Sequence, residues 1–579
     1  MVSIDLPFPQ NEQQDPHGQG DLFQCILFKT LPQNFQESTQ QHPHLLEYLH
    51  MLPVEGPGLP EYREALTRKD AEIKAPNIIY PVGSGVFTHI YPDLGDARDF
   101  YISVEPSLTM DLSDVMSEVE GRLLDFHEAL SEAKTEEEKK ETLLYCVDKI
   151  CTVAGKSRLR KGAGLLRLLT RRSSSDTEIV VTPQELRAIK YFIIRDKLGL
   201  GVLEPMLMDT YIEDISCSGL GRLFIEHKTF KGLKAALTFT EFEHLDAFVL
   251  RLAERIKKPA TYRNPIVDAV LPDGSRINIV YGTDVSKRGS NFSIRKFSET
   301  PFSILELIGF GSLDYTVAAY LSLVLGEGMN MFVCGETASG KTTLLNALTT
   351  FIHPSAKVVS IEDTPELQIP HQNWTREVIR STKPGEGSGV TMFDLLKAAL
   401  RQRPNAIIIG EIRGEEGAIA FQGMQTGHQT MATFHAASVQ ALIQRLTGDP
   451  IRIPKTHIDN LNIVVIQSAV RLPGGKTGRR AISISEIVGY EPPSDSFSFI
   501  EIFRWDPVKD KFDFVGGNNS YMLENKIAFK RGIPPEKRRT IYREVERRAR
   551  ILEKLHKSGL TGFYDVLQVL AKAQREGLF

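Results

Sequence analysis

Apolar and polar positions in the C-terminal half of the chain form short apolar runs separated by longer periodic stretches. From about Pro301 onward, MNMFVC, KVVSIED, NAIIIGE and TMATFHA have the length of buried strands, and helical patterns lie between them. Strands that alternate with helices predict an α/β fold with a largely parallel or mixed sheet. The last ~60 residues have helical periodicity with glycine stops, which predicts a small helical region.

The N-terminal half has weaker patterns. Its first ~100 residues are rich in Pro, Gln and Gly, which predicts an irregular extension with short strands such as NIIYPV and DFYISVEP. Residues 112 to 154 show a charged helical pattern. Thr182 followed by Glu185 indicates a capping box at a helix start. The runs DISCSG, RLFIEH and AVLPDGSRINIVYG predict strands, the last a hairpin around Asp273 and Gly274.

Composition excludes several classes of protein. A length of 579 residues predicts three or four domains. The net charge of −4 provides no overall positive potential that would attract nucleic acid. The five cysteines form no CxxC pair, so we expect neither a zinc site nor a disulfide framework, and a reduced, cytosolic compartment. The start lacks the features of a signal peptide, and the longest apolar runs are too short to span a membrane.

Residues 156 to 175, KSRLRKGAGLLRLLTRRSSS, form a basic segment interleaved with leucine. A linker, or a helix that packs its leucines inward, explains this composition. Contact with an anionic membrane surface, or with an acidic loop of a membrane protein, also explains it, and both interpretations stay open.

GETASGKT at residues 335 to 342 fits the phosphate-loop pattern GxxxxGK[ST]. Gly335 and Gly340 let the backbone N–H groups turn towards phosphate oxygens. Lys341 supplies a cation to the β- and γ-phosphates, the Thr342 hydroxyl can ligate Mg²⁺, and the following helix adds its positive dipole end. We therefore expect ATP and Mg²⁺ as cofactors. The predicted nucleotide-binding residues are Gly335, Glu336, Thr337, Ala338, Ser339, Gly340, Lys341, Thr342 and Thr343.

Carboxylates and histidines follow three later apolar strands. Glu411, at the carboxyl end of NAIIIGE, is predicted to act on Mg²⁺, alone or through water, because Gly410 stands where many such ATPases carry Asp. Within SIEDTPELQI, a carboxylate is predicted to position or deprotonate the attacking water. Its candidates are Glu362, Asp363 and Glu366. In TGHQTMATFHAAS, His428 and His435 are predicted to contact the γ-phosphate.

Four blocks in this order resemble the secretion ATPase superfamily of type II and type IV secretion systems, type IV pili and the archaellum. GETASGKTT resembles the Walker A motif, IEDTPEL the Asp box, LLKAALRQRPNAIIIGEIRGEE the Walker B region and TGHQTMATFHAAS the His box. Upstream, YIEDISCSG and NPIVDAVLPDGSRINI are similar to the family's second N-terminal domain. PIVDAVLPDGSR looks closest to archaeal members, and the four-cysteine zinc module of many bacterial pilus relatives is missing from the sequence.

The resemblance implies a RecA-like P-loop ATPase domain, preceded by a PAS-like α/β N-terminal domain and followed by a small helical C-terminal region. The expected parts are an irregular extension (1–110), a helical region with a basic linker (111–180), the PAS-like domain (181–300), the ATPase domain (301–515) and the C-terminal region (516–579). The resemblance also implies that Arg276 and Arg295 reach the nucleotide phosphates when the domains close, and that Arg413 is a further family arginine. Each could instead form a surface ion pair.

The same resemblance implies a homohexamer that hydrolyses ATP on the cytoplasmic face of a membrane. Its partner would be an integral-membrane platform protein, and its work the assembly of a type IV pilus-like filament, or secretion. An archaellum motor shares these motifs and stays open. A RecA-like DNA translocase is the alternative from another class, but the basic segment has no aromatic residue for stacking on bases, so we expect no nucleic-acid partner.

Overall fold

The computed structural model describes residues 2–8, 22–53, 56–67, 69–106, 112–153, 178–297, 301–380, 389–473, 475, 477–517 and 519–579. The chain folds into two compact units, Met1–Phe297 and Ser298–Phe579, which we call unit 1 and unit 2. The basic segment at 156 to 175 lies outside the described residues.

Unit 1 contains strands β1 to β13 and helices α1 to α9 in its described part. The strands are Val2–Ile4, Glu61–Tyr62, Ile78–Gly83, Val86–Tyr91, Phe100–Val104, Cys151–Val153, Ile179–Val181, Ile212–Cys217, Gly221–His227, Lys231–Phe239, Ile266–Val270, Arg276–Val280 and Asn291–Arg295. The helices are Ile26–Thr30, Gln33–Gln41, Pro43–Met51, Ser113–Leu123, His127–Glu132, Glu136–Ile150, Pro183–Lys197, Glu204–Met208 and Phe242–Arg255.

Eleven described strands of unit 1 form one sheet. Its order is β11-β12-β13-β8-β9-β10-β5-β4-β3-β2, and β1 pairs with β10. The predicted hairpin is confirmed, because β11 and β12 pair antiparallel and Gly274 has a φ of 88° in the turn. The predicted capping box is also confirmed: the Thr182 side chain accepts from the N–H of Glu185, whose side chain accepts from the N–H of Thr182.

The N-terminal residues are more regular than the sequence predicted. Helices α2 and α3 bury apolar side chains that include Phe35, Leu45 and Tyr48. Strand β5 pairs in parallel with β10, so the predicted extension and the predicted PAS-like region share one sheet. Gln and His occupy many of the remaining helix positions, so composition hid the helical period. The five-part division and the PAS-like assignment stay predictions.

Unit 2 contains strands β14 to β22 and helices α10 to α18 in its described part. The strands are Met331–Cys334, Val358–Glu362, Trp374–Val378, Ala406–Ile412, Gln429–Phe434, Ile463–Arg471, Thr477–Glu491, Ser496–Asp506 and Lys511–Phe514. The helices are Ile304–Gly309, Tyr315–Gly326, Lys341–Leu348, Met392–Arg401, Glu416–Gln425, Val439–Thr447, Ala528–Lys530, Ile541–Lys557 and Phe563–Arg575.

The described strands of unit 2 form a nine-stranded sheet in the order β16-β15-β17-β18-β14-β19-β20-β21-β22. In this order, the six strands from β16 through β14 to β19 are paired in parallel. The remaining three pairs, β19-β20, β20-β21 and β21-β22, are antiparallel. Every residue of β14, β15 and β18 is buried, although only β14 is apolar throughout. The predicted α/β fold with a helical C-terminal region is confirmed. None of the described helices is long and apolar enough to cross a bilayer.

Candidate functional site

The predicted phosphate loop joins the end of β14 to the start of α12. A Cβ on Gly335 would lie 2.0 Å from the backbone oxygen of Gln467 on the neighbouring strand β19, so a larger residue cannot fit without a backbone shift. Ala338 and Gly340 have φ values of 60° and 90°, in the left-handed region. The loop therefore has the tight curvature that lets successive N–H groups face one anion.

The Lys341 side chain folds back over this loop, where its Nζ donates to the backbone oxygen of Glu336 at 2.7 Å. Burial lowers the pKa of the Lys341 ammonium, and the carboxylates of Glu411 and Glu366 oppose that shift. Of the remaining predicted nucleotide-binding residues, Thr342 and Thr343 are half-buried at the start of α12 and Ser339 is buried, whereas Glu336, Thr337 and Ala338 are exposed. The Lys341 ammonium therefore lies over the exposed backbone of the loop and close to the carboxylates of Glu411 and Glu366.

Glu411, Arg413 and His435 meet beside the loop, because β17 and β18 are adjacent parallel strands whose carboxyl ends share one edge of the sheet. The Glu411 Oε1 atom lies 2.9 Å from the Nε2 atom of His435, and its Oε2 atom accepts from the Nη2 atom of Arg413 at 2.7 Å. Burial and the Lys341 charge lower the pKa of His435, and Glu411 opposes the shift. The structure therefore places three predicted catalytic residues in direct contact.

Arg413 forms a surface ion pair, which was the alternative to its predicted catalytic role. Its side chain is 65% exposed and also lies 3.6 Å from Asp363. The hydrogen bond with Glu411 raises the pKa of the Arg413 guanidinium. Its catalytic role stays a prediction.

The three candidate acids begin at the last residue of β15, Glu362, and differ in their contacts. Glu362 is 1% exposed, and its Oε2 atom accepts from the N–H groups of Glu366 at 2.5 Å and Leu367 at 2.8 Å. Its Oε1 atom accepts from the Nε atom of Arg376 at 3.2 Å. Burial raises the pKa of Glu362, and these hydrogen bonds oppose the shift. Glu362 therefore holds the turn, while Glu366 is the acid of this group that acts on the Lys341 charge.

The expectation that both histidines contact the γ-phosphate is wrong for His428. This residue lies before the amino end of β18, whereas His435 follows its carboxyl end. Seven residues of extended strand put them about 20 Å apart. The Nδ1 atom of His428 instead lies 3.0 Å from the Thr426 hydroxyl, at the end of helix α14.

The two predicted phosphate-binding arginines of unit 1 lie side by side on their sheet. Arg276 on β12 is directly opposite Arg295 on β13, and Arg295 is directly opposite Asp214 on β8. Burial raises the pKa of Asp214, and the Arg295 charge opposes that shift. The two cations in this cross-strand row repel each other, and the row continues through two carboxylates, because Asp214 is directly opposite Glu226 on β9.

The sequence interpretation missed two side chains that fix the phosphate loop and the adjacent turn. The Nε atom of Arg479, on β20, donates to the backbone oxygen of Ala338 at 3.0 Å. The Oδ1 atom of Asn346, on α12, accepts from the N–H of Gln368 at 3.1 Å, which ties this helix to the turn after β15. Neither residue belongs to a recognisable motif, because each contact depends on packing between distant elements.

The donor set around the loop fits a magnesium nucleotide. Although Glu411 Oε1 is close to His435, it is buried and accepts no hydrogen bond of acceptable geometry, so it can bind an ordered water or a cation. Among the described residues, no group of three or more His, Cys, Asp or Glu side chains is arranged to hold a metal ion. Magnesium needs no such cage, because it is commonly held by one or two protein oxygens together with substrate phosphates and water.

Comparison with known proteins gives matches over both halves of the chain. Residues 196–484 match the family model described as type II/IV secretion system protein. The uncharacterised protein MJ0900 of Methanocaldococcus jannaschii is 43% identical over 94% of this chain and 97% of its own length. The type IV secretion system protein PtlH of Bordetella pertussis is 30% identical over 43% of this chain and 79% of its own length. The crystal structure of the VirB11 ATPase from Brucella suis is 26% identical, with a TM-score of 0.24, over 48% of this chain and 93% of that one.

Proposed function

The chain belongs to the type II/IV secretion system ATPase family, and on that premise we propose that it is an ATP hydrolase whose turnover powers assembly of a type IV pilus-like filament, or secretion. One observation carries the proposal. The carboxyl ends of adjacent strands bring Glu366, Glu411 and His435 to the lysine of a phosphate loop.

The phosphate loop binds the triphosphate. Lys341 leaves the Glu336 carbonyl and neutralises the β- and γ-phosphates, while the backbone N–H groups at the start of α12 donate to phosphate oxygens. The Thr342 hydroxyl and Glu411, directly or through water, would hold Mg²⁺, which when bound neutralises the charge that develops on the phosphates.

The acids and His435 act on the attacking water. Glu411 or Glu366 orients the water and accepts its proton, because both lie close enough to Lys341 to affect its pKa. The imidazole of His435 is mainly neutral at pH 7, since its pKa is lowered, and its Nε2–H can donate to Glu411 or to a γ-phosphate oxygen. Glu362 is the positioning residue of this group, because its carboxylate is already engaged with the turn.

Arg276 and Arg295 contribute positive charge to the phosphates during hydrolysis. Their directly opposed positions on β12 and β13 place two guanidinium groups where a phosphoryl group can bind both. The R276A and R295A variants should therefore lose turnover while nucleotide still protects unit 2 from hydrogen exchange.

We place the protein at the cytoplasmic face of a membrane, as a homohexamer that passes its conformational change to an integral-membrane platform protein. Family membership supports this assignment, as does similarity to PtlH, which is named as a type IV secretion system protein. A switch of this kind needs a phosphate that is bound before hydrolysis and lost afterwards.

Two substitutions test the enzyme assignment. In K341A the triphosphate loses its fixed cation, so we expect the Kd for a fluorescent ATP analogue to rise about 100-fold, which is roughly 3 kcal/mol. In E411Q nucleotide binding should persist, while phosphate release falls on the order of 100-fold or more. K397A, at an exposed position of α13, is the matched control for loss of a lysine. Unchanged affinity in K341A would refute the site, whereas wild-type turnover in E411Q would move the catalytic carboxylate to the acids of the turn after β15.

A further inference from the structure

Helix α17, Ile541–Lys557, carries a row of cations on its outer face. Arg543, Arg547, Arg550 and Lys554 follow one another at spacings of four, three and four residues, which align side chains on one face of a helix. The row is about 16 Å long at the rise of an α-helix. These four residues line a surface groove together with Glu546 and Ile551.

The inner face of α17 fixes this row in place. Ile541, Val545 and Leu552 are buried in the core of unit 2, where α17 packs against α11. Arg548 is 5% exposed, and its guanidinium donates to Glu544 at 3.1 Å and to the Ser322 hydroxyl at 3.2 Å. The helix therefore cannot turn its apolar face outward, and the backbone positions that carry the four cations are fixed.

Acids on the same helix balance only part of this charge. Glu544 is shared by Arg547 and the buried Arg548, and Glu546 lies 3.5 Å from Arg550. Within the described residues, Arg543 and Lys554 have no acidic partner within 4 Å. The two ends of the row are thus free to bind carboxylates from elsewhere, although the chain as a whole has a net charge of −4.

We propose that this face of α17 binds an acidic segment of a partner protein. The fixed spacing of the cations matches carboxylates spaced along a helix, and guanidinium groups pair with carboxylates through two hydrogen bonds. Glu546 and the partly buried Ile551 lie within the same groove. A polypeptide can match them with one cation and one apolar side chain, whereas a layer of lipid phosphates repels the carboxylate and leaves the isoleucine uncovered.

A membrane surface is the less suitable occupant for a second reason. Helices that lie on bilayers bury an apolar face among the lipid chains, but the apolar face of α17 is already packed inside unit 2. The proposal rests on the proposed function in one respect only: an ATPase that drives a separate membrane machine must contact a protein partner.

Binding of designed peptides tests the proposal on the full chain. One probe is a helical Ala/Gln peptide with glutamates at i, i+4, i+7 and i+11, and the other has the same composition with the glutamates spread around the helix. At low ionic strength, fluorescence anisotropy should show binding of the first peptide and weaker binding of the second. The R543E/K554E variant should bind the first peptide about tenfold or more weakly, because two attractive contacts become repulsive.

A matched control and two further measurements decide the outcome. K69E/K74E changes the net charge equally at exposed positions of unit 1 and should keep wild-type affinity. ATP turnover should be the same in all three proteins, so a wild type without turnover that still binds the peptide would refute the proposed function alone. Equal binding of both peptides, unchanged binding by R543E/K554E, or charge-dependent binding to phosphatidylserine vesicles without peptide binding would overturn the docking proposal.

Discussion

The strictest steric requirement in the phosphate loop falls on Gly335. Any side chain there meets the backbone oxygen of Gln467, which belongs to a buried strand and cannot swing aside as a side chain can. We predict that G335A displaces the loop and lowers ATP affinity by at least tenfold, with a loss of stability of roughly 2 kcal/mol or more. Calorimetric titration with ATP and urea unfolding measure the two effects.

Gly326 is the matched control, because a Cβ at this position, at the end of α11, meets no atom within 4 Å. G326A should bind ATP as the wild type does. Equal behaviour of the two alanine variants would show that the loop tolerates the added methyl group.

Arg479 is expected to position the loop from outside. Its hydrogen bond holds the carbonyl of Ala338, whose left-handed backbone directs the next N–H groups towards the phosphates. We predict that R479A raises the Kd for ATP about tenfold, and that R479K recovers part of the loss through its remaining charge. Because Arg479 is exposed, urea unfolding should stay close to wild type in both variants. Wild-type affinity in R479A would remove this role.

At the scale of elements, the acids at the end of β15 and in the following turn have two different roles, one structural and one electrostatic. Glu362 fixes the turn by accepting two backbone N–H groups, whereas Glu366 acts on the charge of Lys341. We predict that E362Q lowers stability by about 1–3 kcal/mol, because one buried acceptor is replaced by a donor, and that turnover falls as the turn loosens. E366Q should lower turnover without loss of stability. Parallel urea-unfolding and phosphate-release measurements test both variants, and the reverse pattern would make Glu362 the catalytic acid.

Elements whose signal is local could be predicted from the sequence. Strands β14, β15 and β17 are largely apolar and mostly buried, so they stand out between loops, and glutamate or histidine at the carboxyl ends of β15, β17 and β18 marks one edge of the sheet. Pairing between distant segments could not be predicted. The parallel match of β10 with β5, and the contact of Arg479 with the loop, depend on which surfaces meet after folding. The same limit explains His428, which shares a motif with His435 but lies at the other end of the strand.

At the scale of the whole molecule, the two units concentrate different chemistry. Unit 2 contains the phosphate loop, the acids and the basic face of α17, whereas unit 1 contains the Arg276–Arg295 pair and a buried polar network. In that network, Asp209 accepts from the hydroxyl groups of Tyr80 at 2.7 Å and Tyr101 at 2.9 Å. The network links strands β3 and β5 to the segment that precedes β8. The stability of unit 1 should therefore depend on the protonation of the residues in this network.

His227, whose Nε2 atom lies 3.1 Å from the Tyr80 hydroxyl, makes that dependence testable. Its Nδ1 atom accepts from the N–H groups of Thr229 and Phe230, both at 3.1 Å, so protonation of the ring would break these bonds. Burial lowers its pKa from 6.5 to about 4. The pKa of His227 is lower in the folded state than in the unfolded state. The stability that neutral His227 contributes to unit 1 is therefore fully present above pH 6.5 and is lost as the pH falls towards 4. This lowering of the pKa corresponds to a loss of roughly 3 kcal/mol in the free energy of unfolding.

We predict that unit 1 loses stability between pH 6.5 and pH 4, and that H227Q reduces this loss by roughly 3 kcal/mol because an amide oxygen accepts without titrating. Hydrogen exchange of peptides from β3 and β9 reports on unit 1 alone. Both tryptophans, Trp374 and Trp505, lie in unit 2, so their fluorescence during urea unfolding follows that unit separately. Burial also lowers the pKa of His89 to about 3 and the pKa of His44 to about 4, so these two residues should cause losses comparable to that of His227 or larger, and their losses remain in the variant. If wild type and H227Q lose protection in parallel as the pH falls, protonation of His227 does not control the stability of unit 1.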